Sequence, residues 1–426
     1  ALLRQINLPP ALSNDVNQRK VNSSLSRKIR PPKRREIKIT IMEIVNKKLM
    51  DKFPSIWHLE KKAKSRIPNV AWVYLQSGTG RGTAASRNCQ RWHELSLLPR
   101  IVRGRQTQNL TTKLFGTTYQ VPFGVAPVGL TGLVWPRAEL ILAESANRYG
   151  YPFSLSTVAT QTPEVVGPKV GNMGWFQLYP PKDPEIRKDL LQRAQEAGFH
   201  TLLITADVPA PGRREASRRT GMTLPLRITP SLIWDGLSHP LWTLQTLRTG
   251  FPSLPTIAPY SPDPNKAAEY ARFDFRGDLD WDYIDSVKQL WDGPVVLKGL
   301  LHPEDAKIAA FDAGMDGIVV SNHGGRQFDG APAAIDALPH IVHALKGSDA
   351  KIILDSGITS GLDIIKALAL GADFCLLGKA FLYGCAALGD QGGDHVANIL
   401  IDDLKNNMTQ LGVESIDDVK KIPLCR

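Results

Sequence analysis

Histidine and arginine stand three residues apart in SNHGGRQFDG, Ser321 to Gly330, directly after the β-branched run DGIVV. An imidazole gains and loses a proton near neutral pH, and a planar guanidinium grips a carboxylate through two parallel bonds. His323 and Arg326 on one short loop therefore suit a reaction that takes a proton from a small acid while its carboxylate is held. Gly324 and Gly325 between them let backbone approach the ligand closely. A loop at the end of a strand is a common place for such chemistry.

Comparable residues end a whole series of apolar runs: VPFGVA, PFSLS, GWFQL, TLLIT, PVVL, GIVVS, KIIL and DFCLL. Between them lie helical patterns such as AELILAESANRYG, DPEIRKDLLQRAQEAGF, HPEDAKIAAFDAGM and SGLDIIKALALG, with apolar residues at three- and four-residue spacing. Strands alternating with helices at this rate predict an α/β fold of the (β/α)8 TIM-barrel type. The alternative is an open doubly wound sheet, but no GxGxxG follows the first strand. A barrel enzyme gathers its working groups at the carboxyl ends of its strands. Here those ends read APVG, ST, QLY, TAD, KG, SNHGGR, DSG and GK, which places Gln177, Tyr179, Asp207, Lys298, His323 and Asp355 together. Any one of these is explained as a satisfied polar cap; six at one rim read as a site. Ser356 in DSG and Gly378 in GK fall after strands seven and eight, where barrels commonly hold a phosphate. A phosphate-tailed cofactor is therefore expected.

The rest of the composition narrows the class. The chain has 426 residues, 42% hydrophobic and 22% charged, which suits one large globular domain with extensions. Cys89, Cys375, Cys385 and Cys425 lie far apart with no CxxC pair, so no zinc or disulfide framework is expected and the thiols read as buried in a reducing compartment. The apolar stretch VPFGVAPVGLTGLVWP is broken by glycine and proline and is not a membrane span. The net charge of +11 is concentrated in residues 1–50, where 12 Lys or Arg face three acids, so the remainder carries only +2 and gives no nucleic-acid-binding body. Residues 1–53 read as a basic, flexible extension: a solvated tail, an organelle presequence or an anchor to an anionic surface. The corresponding location is cytoplasmic or mitochondrial, with membrane association open.

SNHGGRQ, together with WFQLY, TADVP, GRRE, VVLKG, DSGI and ALALGAD, resembles the FMN-dependent α-hydroxy-acid dehydrogenases and oxidases, nearer the lactate and mandelate dehydrogenase branches than glycolate oxidase. The resemblance runs from about Pro54 to the carboxyl terminus, so residues 54–426 are expected to form the catalytic barrel, with an insertion after strand four at about 212–280. It implies oxidation of an (S)-2-hydroxy acid to the 2-oxo acid. His323 would be the base and Asp207 its orienting partner; Arg214 and Arg326 would bind the carboxylate. Tyr74 and Tyr179 would bond the substrate. Lys298 would lie beside the flavin and stabilise its reduced form. The same resemblance gives Pro127, Val128, Gly129, Ser156, Gln177, Thr205 and Ser321 to the flavin ring and Asp355 to the ribityl chain. Ser356, Gly357, Gly378 and Lys379 would serve the phosphate.

The chain departs from that pattern at Thr359 and Lys379, where many relatives have arginine, which leaves one ammonium, one hydroxyl and backbone donors for the phosphate. Val158 and Gly129 are smaller than their glycolate-oxidase counterparts and imply room for a larger substrate. The insertion, with PSLIWDGLSHPLWTLQTLRTGFPSLP, reads as a membrane-contacting segment or as a lid. Residues 1–53 are too short for the haem domain of flavocytochrome relatives, so the electron acceptor is a quinone, a separate cytochrome or oxygen. A homo-oligomer, commonly a tetramer, is implied. Two other readings compete: an FMN-barrel isomerase and a non-catalytic barrel with a decayed flavin site.

Overall fold

A computed structural model of the protein describes residues 46–104, 106–221 and 229–425. The chain divides into two units, Ala1–Lys47 and Lys48–Arg426. The centre of the second unit is a closed barrel of eight parallel strands. These are β1 (Phe123–Val125), β2 (Phe153–Ser156), β3 (Gly174–Leu178), β4 (Thr201–Thr205), β5 (Val295–Leu300), β6 (Gly317–Val320), β7 (Lys351–Leu354) and β8 (Phe374–Leu377). Each strand falls on one of the apolar runs of the sequence, and each pairs with its neighbour in chain order until β8 closes on β1. Parallel strands walled by helices are buried on both faces, which is why the runs are continuously apolar and do not alternate.

Two layers of core result. Ala126, Trp175, Leu203, Val296, Val319, Ile353, Phe374 and Leu376 fill the barrel interior. A hairpin of Thr112–Leu114 and Thr117–Tyr119 plugs the amino-terminal end, where the Trp175 indole donates to the Tyr119 hydroxyl at 2.9 Å. With that end closed, the opposite rim is left to hold ligands.

The crossover helices begin where their caps say they should. Asp183 accepts from Glu185 N at the start of Pro184–Glu196, and Ser360 accepts from Asp363 N at the start of Gly361–Ala369. The run HPEDAKIAAFDAGM departs from a single helix. Pro303–Lys307 is α-helical, then Ile308–Asp312 widens into a π-turn that ends with Ala313 N bonded to Ile308 O. The π-turn takes up one extra residue ahead of β6.

Between β4 and β5 the insertion forms a helical pair, Pro230–Ser238 and Pro240–Thr249, followed by Ala267–Phe273. Trp242 is its anchor, buried and donating to Leu133 O at 3.1 Å. Ile233, Trp234, Leu237, Leu241, Leu244 and Leu247 instead face outward, with Trp234 74% exposed. Ahead of the barrel, helices Ile56–Lys64, Asn69–Gln76 and Thr83–Glu94 bring Tyr74 and Cys89 to its open rim.

Candidate active site

The loop after β6 turns sharply. His323 has φ 56°, and Gly324 and Gly325 have φ 64° and 72°. A side chain at Gly325 would meet Ala85 N at 2.3 Å, so glycine is what lets the amino-terminal segment close on this loop. The turn sends the His323 ring toward the end of β4, where Nδ1 lies 2.9 Å from Asp207 Oδ1. A carboxylate in that position selects the tautomer that leaves Nε2 free as an acceptor. Burial holds the His323 pKa below its usual value, against the opposing pull of Asp207, so the ring is neutral and able to accept a proton at pH 7. Asp207 fits behind the ring because residue 299 has no side chain. Gly299 sits at a register shift in β5 with φ 112°, and a Cβ there would come within 2.5 Å of the Asp207 side chain.

Three cations face this pair. The Arg326 Nη1 donates to Tyr74 O at 2.8 Å and Ser77 O at 3.1 Å, which fixes the guanidinium and leaves its other donors for a ligand. Burial, with Arg214 nearby, lowers Arg326 to about 10, still charged at neutral pH. Arg214 lines the same cavity. The Lys298 ammonium is buried between Asp355 Oδ2 and Ser321 Oγ, each at 2.8 Å. Both phenols are present: Tyr74 donates to Gly129 O at 2.6 Å, and Tyr179 lies on the cavity wall.

The cavity, about 830 Å³, is far larger than a small acid needs. It runs from His323 past Pro127, Val128 and Gly129 to Asp355, Ser356 and Gly357, and on to Gly378 and Lys379. Ser156, Gln177, Thr205 and Ser321 lie buried at the strand ends behind that lining. The Gln177 Oε1 accepts from Ser156 Oγ at 2.6 Å, and its Nε2 is buried with no partner among the described residues. A buried amide donor without an acceptor marks a place for a ligand carbonyl. That orphan donor, the cavity's length and the Lys379 ammonium at its far end fit FMN. At that end Thr359 lies on the cavity wall with its hydroxyl and amide both bonded to Asp363 Oδ2, at 3.2 and 2.9 Å. Lys379 donates to Gln76 O at 3.2 Å, and burial, with Arg326 adding, lowers it to about 8.

Sequence reasoning missed several groups. The reading of uniformly buried thiols holds at Cys375 and Cys385 and fails at Cys89, which is exposed on the cavity wall; the Cys425 side chain lies outside the described residues. Glu60 also lines this end and accepts from Gln76 Nε2 at 2.6 Å. Arg276, from RFDFRGD at the end of the insertion, reaches the cavity and stacks 4.1 Å above the Tyr179 ring. No motif surrounds it, and only the folded insertion brings it to the rim.

A proton acceptor beside a cluster of cations, in a cleft long enough for a phosphate-tailed ring, defines a cofactor-using barrel enzyme for an anionic substrate. The model of the FMN-dependent dehydrogenase family matches residues 63–425. An L-lactate dehydrogenase of Vibrio parahaemolyticus is 38% identical over 368 residues, 85% of this chain and 96% of that protein. One from Acinetobacter baumannii is 39% identical over 361 residues, 84% of this chain and 94% of that protein. Among solved structures, the monotopic membrane protein (S)-mandelate dehydrogenase superposes with a TM-score of 0.81 at 30% identity, covering 87% of this chain and 98% of the other. A mandelate oxidase gives 0.74 at 31%, covering 88% and 98%. The chain belongs to the FMN-dependent dehydrogenase family.

Proposed function

We propose that residues 54–426 oxidise an (S)-2-hydroxy acid to the 2-oxo acid, residues 1–53 being an extension outside the catalytic unit. The observation that carries this reading is the His323–Asp207 pair at 2.9 Å, facing Arg214 and Arg326 in one cavity. Arg214 and Arg326 hold the substrate carboxylate, and the Tyr74 and Tyr179 phenols orient the hydroxyl. His323 Nε2 takes a proton from the substrate, and Asp207 stabilises the imidazolium that forms. Bound FMN supplies the two-electron acceptor. Lys298, Ser321, Gln177, Ser156, Thr205 and the backbone of 127–129 would hold its ring. Asp355 would hold the ribityl chain, and Ser356, Gly357, Gly378 and Lys379 the phosphate. Electrons then leave to a quinone, a cytochrome or oxygen.

Anaerobic mixing of the yellow holoprotein with short and aromatic 2-hydroxy acids tests this. Bleaching of the flavin band by one enantiomer is expected. Absence of bleaching with every acid would leave the isomerase or the non-catalytic barrel, and the rate of recolouring in air separates oxidase from dehydrogenase.

The insertion supports a second element of the proposal, peripheral attachment to a membrane. Six outward apolar residues on two adjacent helices form a surface a monomer in water does not need. No helix among the described residues is long and apolar enough to cross a membrane.

A further inference from the structure

The guanidinium of Arg276 is out of proportion to the reaction. A 2-hydroxy acid brings one carboxylate, and Arg214 and Arg326 already face it. Arg276 is a further arginine on the same cavity, with Nε and Nη1 buried and no hydrogen-bond partner for its side chain among the described residues. It lies near enough to Arg214 for the two to repel, and Tyr179 beneath it offers a ring face in place of an acceptor. Asp207, the acid that acts on it, is already bonded to His323, so the planar fork with its free N–H groups has no carboxylate of its own and is best satisfied by one. The surrounding wall adds Lys266 and Arg272 against Glu269, so positive charge is in excess on this side. Gly129 and Val158 line the same cavity, packed against each other.

We propose that Arg276 binds a second acidic group on the substrate, so that the enzyme's preferred class is a 2-hydroxy dicarboxylic acid. The second carboxylate enters between Arg276 and the Tyr179 edge while the first sits on Arg214 and Arg326. This inference rests on the 2-hydroxy-acid reaction, so the test includes a readout that needs no turnover.

Holoenzyme is mixed anaerobically with (S)-2-hydroxypentanoate and with (S)-2-hydroxypentanedioate, acids of one chain length that differ only in the distal carboxylate. Flavin reduction with the diacid is expected to be favoured by about 10- to 100-fold in kcat/KM, the range of a charge-assisted hydrogen bond. Arg276→Gln should abolish that preference and leave the monoacid within about threefold, whereas Arg276→Lys retains part of it. In parallel, pentanedioate and pentanoate, which cannot react, are titrated against the holoenzyme by perturbation of the flavin spectrum. Tighter binding of the diacid that is lost in Arg276→Gln supports the inference even where no acid bleaches the flavin, an outcome that would overturn only the reaction. Equal rates and equal binding for mono- and diacid in the unaltered enzyme overturn it. So does an Arg276→Gln enzyme that loses both acids alike, since that is the signature of a residue that merely positions Tyr179.

Discussion

At the scale of single residues the chemistry depends on two depressed pKa values of opposite consequence. In the proposed reaction His323 is the base in its neutral form. Because burial lowers its pKa, that form persists to lower pH than for a free imidazole. Activity in kcat/KM should therefore fall only as pH drops through a value below the ordinary 6.5, with a plateau above it. His323→Asn should lower kcat by about 10²- to 10⁴-fold while leaving flavin absorbance in place, and Asp207→Asn should shift the acid limb further down as well as slow the rate. In the proposed FMN site Lys379 serves in its charged form. With its pKa lowered to about 8, the ammonium that faces the phosphate end of the cleft is lost as pH rises through that value. FMN affinity of the apoprotein, read by quenching of flavin fluorescence, should weaken over the same range and with added salt. Lys379→Arg should hold it constant to higher pH.

At the scale of elements, the strands were plain to read because each is a continuous buried run, whereas the connections carry what the sequence hides. The Gly299 kink in β5 looks like an ordinary residue of VVLKGL, yet it shifts the register after Lys298 and makes room for Asp207. Gly299→Ala should destabilise the fold by about 1–3 kcal/mol, through overpacking against Asp207 and a positive φ, and slow the reaction by displacing the carboxylate from the imidazole. Thermal unfolding and turnover measured together check both. The π-turn at Ile308–Asp312 lies inside a run whose apolar spacing reads as one helix. In the insertion, mixed tryptophan and leucine fitted a lid or a membrane face equally well. The helical pair buries Trp242 and turns Trp234, Leu237 and Leu247 outward. Replacing those three by serine should weaken binding to anionic phospholipid vesicles by about tenfold or more, without changing kcat for a soluble acid.

At the scale of the whole molecule, the barrel and the rim residues could be read because a (β/α)8 order forces chemistry to the strand ends, and SNHGGRQ, TADVP and VVLKG lie there. Arg276, Glu60 and Cys89 could not be read, since they reach the cavity from segments outside the strand–helix alternation. A chain beginning at residue 48 should retain flavin and turnover. If the insertion alone carries the membrane contact, it should also retain vesicle binding, and a sedimentation assay compares the two chains directly.

The helix Ile56–Lys64 lies against Lys379–Leu388, the helix that carries Lys379. Arg66 beside it donates to Ala387 O, 321 positions later. During synthesis at roughly 5–20 residues per second, the amino-terminal helices wait on the order of tens of seconds before the surface they cover exists. The far wall of the flavin cleft is thus among the last parts of the chain to leave the ribosome. If Lys379 holds the phosphate as proposed, a chain interrupted before residue 379 would lack both that contact and the surface that Ile56–Lys64 covers.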